Sequence, residues 1–245
     1  MKEAWNFAVL RGDRRQNILC DLLREDGYPV RLLPEPEKWG QENLPPPGAI
    51  LIAAKAGEPL RRAARDAGFR LLEYGSLPSF QRENGQITAE NALQVAMKHR
   101  LRTLYGSDAL VIGWGNIGKP LAALLRGLGA RTAVAVRREE QLWQLKGEGL
   151  RPILSRRLEQ EIGEYDVIFN TAPELLLTEP VLRALRPGAL VVDLASRPGG
   201  VDWEWARALE IKAVQALALP GVLTPVSGAL AIRNAVYSLC EEEHT

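Results

Sequence analysis

Cysteine and histidine are scarce in this sequence of 245 residues, and their scarcity excludes whole classes of function. There are two cysteines, Cys20 and Cys240, and two histidines, His99 and His244. Two cysteines so far apart predict neither a disulfide framework nor a zinc site. The histidines are too distant in sequence for a histidine-based catalytic or metal cluster. We therefore expect no metal site and two buried thiols in a reducing cytoplasm.

An imbalance of charge and long hydrophobic runs are also missing. The formal net charge is +1, which offers no bulk attraction to nucleic acid or to an anionic membrane surface. No apolar run approaches the roughly 20 residues of a membrane-spanning helix. The apolar stretch in "MKEAWNFAVLRGD" is too short for a secretory signal. The sequence therefore predicts a cytoplasmic protein with no nucleic-acid partner and no membrane partner.

What the sequence does contain is a regular alternation of strand-like and helix-like segments. This alternation predicts an α/β protein, a doubly wound parallel sheet of the Rossmann type with a second, smaller α/β domain. We expect a substrate cleft between the two domains. The predicted segments are an N-terminal α/β domain on the substrate side at 1–87, an amphipathic linking helix at 88–106, a Rossmann domain at 107–225, and a helix at 226–245, capped by Ser227, that returns to the first domain or to the interface.

The segment "VIGWGNIG" carries the strongest motif. It places Gly113, Gly115 and Gly118 in a G-x-G-x-x-G pattern after an apolar strand and at the start of a helix. Gly113 would permit a tight turn, Gly115 would let the backbone approach a pyrophosphate, and Gly118 would let the helix pack on the strand. Asn116 and Ile117 complete this predicted cofactor-binding loop. The alternative is a glycine-rich turn without a ligand.

The end of the next strand, "AVAVRREE", selects between the two nicotinamide cofactors. Arg137 and Arg138 stand about 20 residues past the glycines, where an acidic residue would bind the ribose of NAD. Because arginine pairs with a 2′-phosphate, the sequence predicts NADP, with NAD as the alternative. In that alternative the arginines are solvated, and Glu139 or Glu140 faces a ribose.

Two further strands end in polar loops, which the topology would place at the same sheet edge. The loop after "VIFN" is a candidate wall for the nicotinamide and its ribose, or a simple polar turn. In "ALVVDLASRPGG" we expect the Arg197 guanidinium to hold a substrate carboxylate through two hydrogen bonds. The alternative is an ion pair between Arg197 and Asp202. The further candidates on these loops are Thr171, Ala172, Pro173 and Ala195 for the cofactor and Ser196 for catalysis.

Two families resemble this chain. "LASRPGGVDWEWA" followed by "VLTPVSGA" is similar to the end of the D-2-hydroxyacid dehydrogenases. In those enzymes an arginine in an Arg-Gly-x-x-Val-Asp stretch binds the substrate carboxylate, and Arg197 falls on that arginine. A Thr-Pro-His segment then supplies the acid/base histidine, where this chain has Thr224-Pro225-Val226. Because valine cannot transfer a proton, the resemblance does not imply reduction of keto acids by that mechanism.

The closer resemblance is to the dipicolinate synthases, in particular to their A subunits. It rests on "RGDRRQ", "TAENA", "VIGWGNIGKPLA", "FNTAP", "DLASRPGGVD" and "LALPGVLTPVSG". It implies oxidation of dihydrodipicolinate to dipicolinate in spore-forming bacteria, with the nicotinamide cofactor on this chain and a flavoprotein, the B subunit, as partner. Two features depart from the family: the N-terminal block is shorter than expected, and Asn91 stands where a glycine is expected.

A dicarboxylate substrate calls for two cationic groups, and "RGDRRQ" is the source we expect for the second. Arginines are unfavourable at a helix N-terminus, so those in "RGDRRQ" suggest a ligand, with a solvated helical turn as the alternative. Glu90 in "TAENA" is the candidate proton acceptor. The alternatives are water as the base, and Glu90 as a helix-start residue. The substrate-binding candidates besides Arg197 are Asp13, Arg15, Gln16 and Thr88.

Three hypotheses follow from these patterns. The first is an NADP-dependent dehydrogenase subunit that acts on a cyclic dicarboxylate. The second is a D-2-hydroxyacid dehydrogenase, which requires an acid/base histidine near Arg197. The third is a non-catalytic dinucleotide-binding subunit that needs its partner for activity. We also expect the chain to form a homo-oligomer.

Overall fold

The computed structural model describes residues 5–36, 39 and 44–242, and these residues form two units. The first unit contains Met1–Ile87 and Pro220–Thr245, and the second unit contains Thr88–Leu219. Residues 1–4 of the predicted first domain lie outside the described residues. So do residues 243–245, which include His244 and the end of the predicted last helix.

A four-stranded parallel sheet organises the first unit. The elements up to residue 98 are β1 (Phe7–Leu10), α1 (Arg14–Glu25), β2 (Val30–Leu33), β3 (Ile50–Ala53), α2 (Glu58–Ala67), β4 (Arg70–Glu73) and α3 (Pro78–Lys98). The strand order is β2-β1-β3-β4. The central strands β1 and β3 are apolar and almost wholly buried, as expected for a parallel sheet covered on both faces.

Helix α3 differs from the predicted linking helix at 88–106. It begins ten residues earlier, at Pro78, and ends at Lys98, and residues 99–107 form turns. Pro78 suits the first turn of a helix, whereas Gly85 inside the helix hides its continuity from a propensity argument. Thr88 and Glu90 therefore lie in the middle of α3, and the interpretation of Glu90 as a residue favoured by a helix start is wrong.

The second unit contains a six-stranded parallel sheet. Its elements after α3 are β5 (Asp108–Ile112), α4 (Gly118–Gly127), β6 (Arg131–Val136), α5 (Glu140–Gly147), β7 (Arg151–Leu154), α6 (Leu158–Glu161), β8 (Val167–Asn170), α7 (Glu179–Arg183), β9 (Leu190–Asp193), α8 (Trp203–Ala208) and β10 (Lys212–Gln215). Single-turn 3₁₀ helices cover Ser155–Arg157 and Ile162–Glu164.

The strand order in this sheet is β10-β9-β8-β5-β6-β7, the order of a dinucleotide-binding sheet. Alternate residues of β5 enter two separate cores: Ala109 and Val111 join one, and Leu110 and Ile112 join the other. Helices cover both faces, which confirms the predicted doubly wound fold. Strand β7 was not predicted because it is short and contains Pro152, which is compatible only with an edge strand.

The chain after the second sheet belongs to the first unit. Helix α9 (Leu219–Val222) precedes α10 (Pro225–Glu242), whose buried residues join the core formed with α1 and β1. The Gly228 N–H donates to the Thr224 carbonyl at 3.0 Å, and Pro225 occupies the first helical position. Ser227 therefore lies inside α10 and does not cap it. The second unit ends at Leu219, short of the predicted limit at residue 225.

Two kinds of feature are absent from the described part of the chain. None of its helices is long and apolar enough to cross a membrane. It also contains no group of three or more histidine, cysteine, aspartate or glutamate side chains arranged to hold a metal ion.

Candidate functional site

The strand order of the second unit fixes where a ligand can bind. Strands β5 and β8 are neighbours, and the chain leaves them toward opposite sides of the sheet. In open α/β sheets, ligands bind at the carboxyl ends of the strands at such a switch point. The loop between Ile112 and α4 and the loop after Asn170 lie at this point. Both loops contain predicted cofactor-binding residues.

The three glycines of the first loop are required for three different reasons. Gly113 has a φ of +104°, and a Cβ there would clash with the Thr171 Oγ1. A Cβ on Gly118 would clash with the Gly113 carbonyl, because the start of α4 packs directly on the loop. A Cβ on Gly115 would meet no atom within 4 Å, so the backbone there is open to a ligand. This geometry fits a pyrophosphate held against the N-terminus of α4.

A cavity of about 700 Å³ lies beside this loop, between the carboxyl ends of β5, β6, β7 and β8. The structure thus brings together five predicted cofactor-binding residues. The lining residues are Ile112, Gly113, Trp114, Ala135, Val136, Arg137, Arg138, Gln141, Ser155, Arg156, Ala172, Pro173, Glu174 and Leu176. The indole Nε1 of Trp114 is buried and has no hydrogen-bond partner in the described chain.

Three arginines line this cavity. Arg137 lies 3.5 Å from Glu174, but its side chain is 79% exposed, so this ion pair is weak. Arg138 makes no hydrogen bond or ion pair with a described residue. Arg156 comes from the 3₁₀ turn after β7, which the sequence analysis missed, and it pairs with Glu139 at 2.6 Å.

Neither glutamate of the NAD alternative lines the cavity. Glu139 is engaged by Arg156, and Glu140 is the first residue of α5. The charge that faces the cavity is therefore predominantly positive, with Glu174 as the one carboxylate among its lining residues.

A buried polar pair holds the two loops that carry the remaining candidates. Asn170 and Asp193 end β8 and β9 and are both 0% exposed. The Asn170 amide donates to the Asp193 Oδ1 at 2.8 Å and to the Ala172 carbonyl at 3.1 Å. The Asp193 carboxylate also accepts from the N–H groups of Ala195 at 3.3 Å and Gly200 at 3.5 Å. The pair was not predicted, because its members stand 23 residues apart in the sequence.

Other candidates in this region have structural partners. The Thr171 hydroxyl donates to the Ile112 carbonyl at 2.8 Å, which ties the two loops together. Ala195 is buried. Asn116 is exposed, and Ile117 packs on the core of the second unit. Thr171 and Ala195 thus shape the loops, and Asn116 lies at the loop surface.

Arg197 lies on the loop held by the buried pair, next to the exposed Ser196. The side chain of Arg197 is exposed, and no residue within the described ranges forms a hydrogen bond or ion pair with it. Asp202, its alternative partner, instead caps α8 by accepting from the N–H groups of Glu204 and Trp205, both at 3.2 Å. The loop therefore presents a guanidinium that no described residue engages.

The first unit has a switch point of its own. Strand β1 lies between β2 and β3, so the loop after β1 occupies the equivalent position at the carboxyl edge of this sheet. A cavity of about 700 Å³ opens there. Its lining residues are Arg11, Gly12, Asp13, Arg14, Asn17, Gly221 and Val222. Arg11 and Arg14 are exposed and form no ion pair with the described residues.

Arg15, the predicted ligand, is engaged differently. Its Nη2 donates to the Asp13 Oδ2 at 2.7 Å and its Nε to the Asp13 Oδ1 at 3.0 Å, and its side chain is 18% exposed. Asp13 also caps α1 by accepting from the Arg15 N–H at 2.9 Å. Burial opposes ionisation of Asp13, but the hydrogen bonds and charge of Arg15 outweigh burial and lower the pKa of Asp13.

The last candidates lie elsewhere on the two units. Gln16 does not line the cavity of the first unit, and its Oε1 is buried without a hydrogen-bond partner among described residues. Thr88 is buried in α3, whereas Glu90 is exposed on the same helix. Among these residues, Glu90 alone offers a carboxylate open to a ligand or to solvent.

Comparison with known proteins identifies the second unit. The family described as "D-isomer specific 2-hydroxyacid dehydrogenase, NAD binding domain" matches residues 77–219, more than half of the chain. The chain belongs to this family. It therefore belongs to a family of NAD(P)-dependent oxidoreductases whose matched domain binds a nicotinamide dinucleotide.

Individual relatives confirm the second resemblance. The chain is 29% identical over 197 residues to the A subunit of dipicolinate synthase from Bacillus subtilis (strain 168), a match that covers 80% of this chain and 66% of that protein, just under two thirds of its length. The crystal structure of the dipicolinate synthase A chain from Bacillus subtilis has a TM-score of 0.84 and 25% identity, over 99% of this chain and 97% of that one. The A subunit from Bacillus halodurans, 22% identical, shares the fold with a TM-score of 0.82, over 98% of each chain.

We call the carboxyl edge of the second sheet, with the loops after Ile112, Asn170 and Asp193, the dinucleotide edge. Although the chain belongs to the 2-hydroxyacid dehydrogenase family, none of its described residues at this edge is a histidine. His99, the histidine within those residues, lines a cavity with Leu190 and Lys212, the first residues of β9 and β10. That cavity lies at the amino ends of the strands, whereas the dinucleotide edge lies at their carboxyl ends. His99 is therefore not placed to exchange a proton at the edge that carries Arg197.

Proposed function

We propose that this chain is an NADP-dependent dehydrogenase subunit that oxidises dihydrodipicolinate to dipicolinate. The observation that carries the proposal is the guanidinium of Arg197, which has no partner among the described residues and lies on a loop held by the buried Asn170–Asp193 pair at the dinucleotide edge. A guanidinium there offers two parallel N–H donors to a carboxylate. The relatives named as dipicolinate synthase A subunits supply the candidate substrate.

The preference for NADP rests on the arginines of the second unit. Arg138 is unpaired among the described residues, Arg137 is only weakly paired, and Arg156 reaches the same cavity. A 2′-phosphate would gain charge-assisted hydrogen bonds from Arg138 and Arg137, and Arg156, which is paired with Glu139, would add positive charge nearby. A ribose without the phosphate would find no carboxylate from Glu139 or Glu140.

The chemistry suits a site without a histidine. Oxidation of dihydrodipicolinate releases a hydride and a proton, and the formation of an aromatic ring drives the reaction. Bound NADP⁺ would supply the hydride acceptor. Arg197 would orient the substrate through one carboxylate, and the released proton would pass to Glu90 or to water. Because aromatisation drives the proton loss, strong general-base catalysis is not needed.

A carboxylate that binds in the cavity of the first unit would meet Arg14 and Arg11 rather than Arg15. Arg15 is held by Asp13 through two hydrogen bonds, whereas Arg14 and Arg11 line the cavity of the first unit. We expect Arg14→Ala to raise KM for the dicarboxylate while leaving stability unchanged, and Arg15→Ala to lower stability instead. Arg62→Ala, an exposed arginine on α2, is the matched control.

The test is turnover by the purified chain with dihydrodipicolinate and NADP⁺, in one arm without and in the other with the flavoprotein partner, the B subunit of dipicolinate synthase. Formation of dipicolinate together with NADPH by the isolated chain supports the proposal. NADPH binding without turnover in either arm would favour a non-catalytic dinucleotide-binding role. Reduction of a 2-keto acid would favour the D-2-hydroxyacid dehydrogenase alternative. Sizing of the chain with and without the flavoprotein would test the expected homo-oligomer.

A further inference from the structure

The second unit carries another cavity, at the edge of the sheet opposite to the dinucleotide edge. It has a volume of about 540 Å³, and Leu190 and Lys212 begin strands β9 and β10 at its wall. The strands are four to six residues long, so the two edges lie roughly 13–20 Å apart. The lining residues of this amino-edge cavity are His99, Arg100, Leu101, Arg102, Asp166, Arg186, Pro187, Gly188, Leu190 and Lys212.

The side chains that line this cavity carry a larger net positive charge than the whole chain does. Four of its lining side chains are lysine or arginine and one is a carboxylate, whereas the complete chain has a net charge of only +1. The cavity thus concentrates three excess positive charges on a concave surface. A concave wall of low dielectric strengthens the field from such charges and attracts anions.

The contacts of these groups show which cations are satisfied. Asp166 accepts from the Arg186 Nη1 at 3.1 Å and from the Asp108 N–H at 3.0 Å. The Arg100 Nη2 donates to the Ser107 hydroxyl at 2.9 Å. Arg102 and Lys212 form no side-chain hydrogen bond or ion pair with any residue that the structure describes. Two cations are therefore left to bind a ligand or solvent.

The electrostatic environment of Arg100 also favours a bound anion. Burial lowers the pKa of Arg100, Asp166 raises it, and the positive charge of Arg102 lowers it further. Arg100 thus lies partly buried beside a like charge, and the one carboxylate that faces it, Asp166, is already bound to Arg186. A bound anion would relieve this repulsion.

We propose that the amino-edge cavity binds a small polyanion, a phosphate compound or a polycarboxylate, through Arg102 and Lys212, with Arg100 and Arg186 at its wall. The site is separate from the dinucleotide edge, and the proposal does not depend on the proposed function. The common chemistry of both ligand classes is a cluster of anionic oxygens that accept from guanidinium and ammonium groups.

The test uses two probes, inorganic pyrophosphate and citrate, titrated calorimetrically into the purified chain at low ionic strength without cofactor. We expect at least one probe to bind, with an affinity that falls about tenfold or more in Lys212→Ala and in Arg102→Ala. Lys146→Ala, an exposed lysine on α5 outside the cavity, is the matched control and should bind as the wild type does. Pyrophosphate alone would identify a phosphate site, citrate alone a polycarboxylate site, and both the shared chemistry.

Both probes are also anions that could bind at other arginines of the chain, and the variants separate these cases. Equal affinity in the wild type and both variants, or no binding of either probe, would overturn the proposal. Thermal unfolding is the control for folding: because Arg102 and Lys212 lack partners in the described chain, their loss should not lower Tm. The bound probe should raise Tm in the wild type and in Lys146→Ala more than in the two cavity variants.

Discussion

Each of the two units has a candidate ligand-binding edge at a switch in strand order, but the two edges are formed by different groups. In the second unit the edge is largely backbone, formed by Gly113, Gly115 and the start of α4. In the first unit the edge carries the side chains of Arg11 and Arg14 beside Asp13. Backbone N–H groups at a helix start suit a pyrophosphate, and guanidinium groups suit a planar carboxylate. The topology thus sets the position of each candidate site, and the loop residues indicate the ligand class that would suit it.

The largest effect is expected at Arg197, where the proposed site of the second unit uses a side chain, not the backbone, to bind its ligand. Arg197→Ala should lower kcat/KM for the dicarboxylate by a factor that corresponds to roughly 2–5 kcal/mol, because a charge-assisted pair is lost. NADPH affinity should stay within about twofold, because Arg197 is assigned to the substrate. Steady-state kinetics and a NADPH titration measure the two quantities, with Arg62→Ala as the control. A large loss of NADPH binding would show that Arg197 holds the cofactor instead.

Two glycine substitutions test whether the backbone of the glycine loop in the second unit contacts the dinucleotide. Gly113→Ala should destabilise the protein by about 2 kcal/mol or more, because of its positive φ and its clash with Thr171. Gly115→Ala should leave stability within about 0.5 kcal/mol and weaken dinucleotide binding about tenfold, because its Cβ would occupy the approach to the pyrophosphate.

Denaturant unfolding and dinucleotide titration report these two changes. Gly127→Ala, at the end of α4 with open space around it, is the control and should keep the wild-type dinucleotide affinity. Wild-type affinity in Gly115→Ala would mean that the pyrophosphate does not approach this glycine.

A smaller effect is expected at Arg138, whose side chain would bind the 2′-phosphate beside the glycine loop. Arg138→Ala should weaken NADPH binding about tenfold and leave NADH binding nearly unchanged, because only NADPH carries the 2′-phosphate. The control is Arg157→Ala, a nearby arginine that pairs with Glu161 and does not line the cavity. An equal loss for both cofactors would contradict the assigned role.

The smallest effect concerns the charge of Asp13 in the first unit. Asparagine caps a helix as well as aspartate does, so Asp13→Asn removes the charge and keeps the cap. The folded chain holds the pKa of Asp13 below its ordinary value, so the stabilisation exists above the unfolded pKa and is lost as the pH falls through the folded pKa.

The wild type should therefore be slightly more stable than Asp13→Asn above about pH 5, and the two should converge as the pH falls through the lowered pKa of Asp13. Denaturant unfolding across this range measures the difference. A constant gap at all pH values would show that the Arg15–Asp13 pair does not depend on the carboxylate charge.

The contrast between the two units also explains what the sequence could predict. The glycine loop was predictable because the positions that cannot carry a Cβ, Gly113 and Gly118, lie within six residues of one another in the sequence. Asn170 with Asp193 and Arg156 with Glu139 were missed because their partners come from separate strands or loops. The start of α3 was missed because Gly85 interrupts the helical composition. The pairing of Arg15 with Asp13 was not predicted, although Asp13, a strong capping residue, stands two positions before Arg15.

We propose that the second unit binds NADP in preference to NAD, as the cofactor of a dehydrogenase. The most direct test of this proposal is a titration of the purified chain with NADPH and with NADH, followed by quenching of tryptophan fluorescence, because Trp114 lines the cavity. NADPH should bind tightly, with an affinity about tenfold or more higher than that of NADH. Failure of both to bind, or tighter binding of NADH, would contradict this proposal.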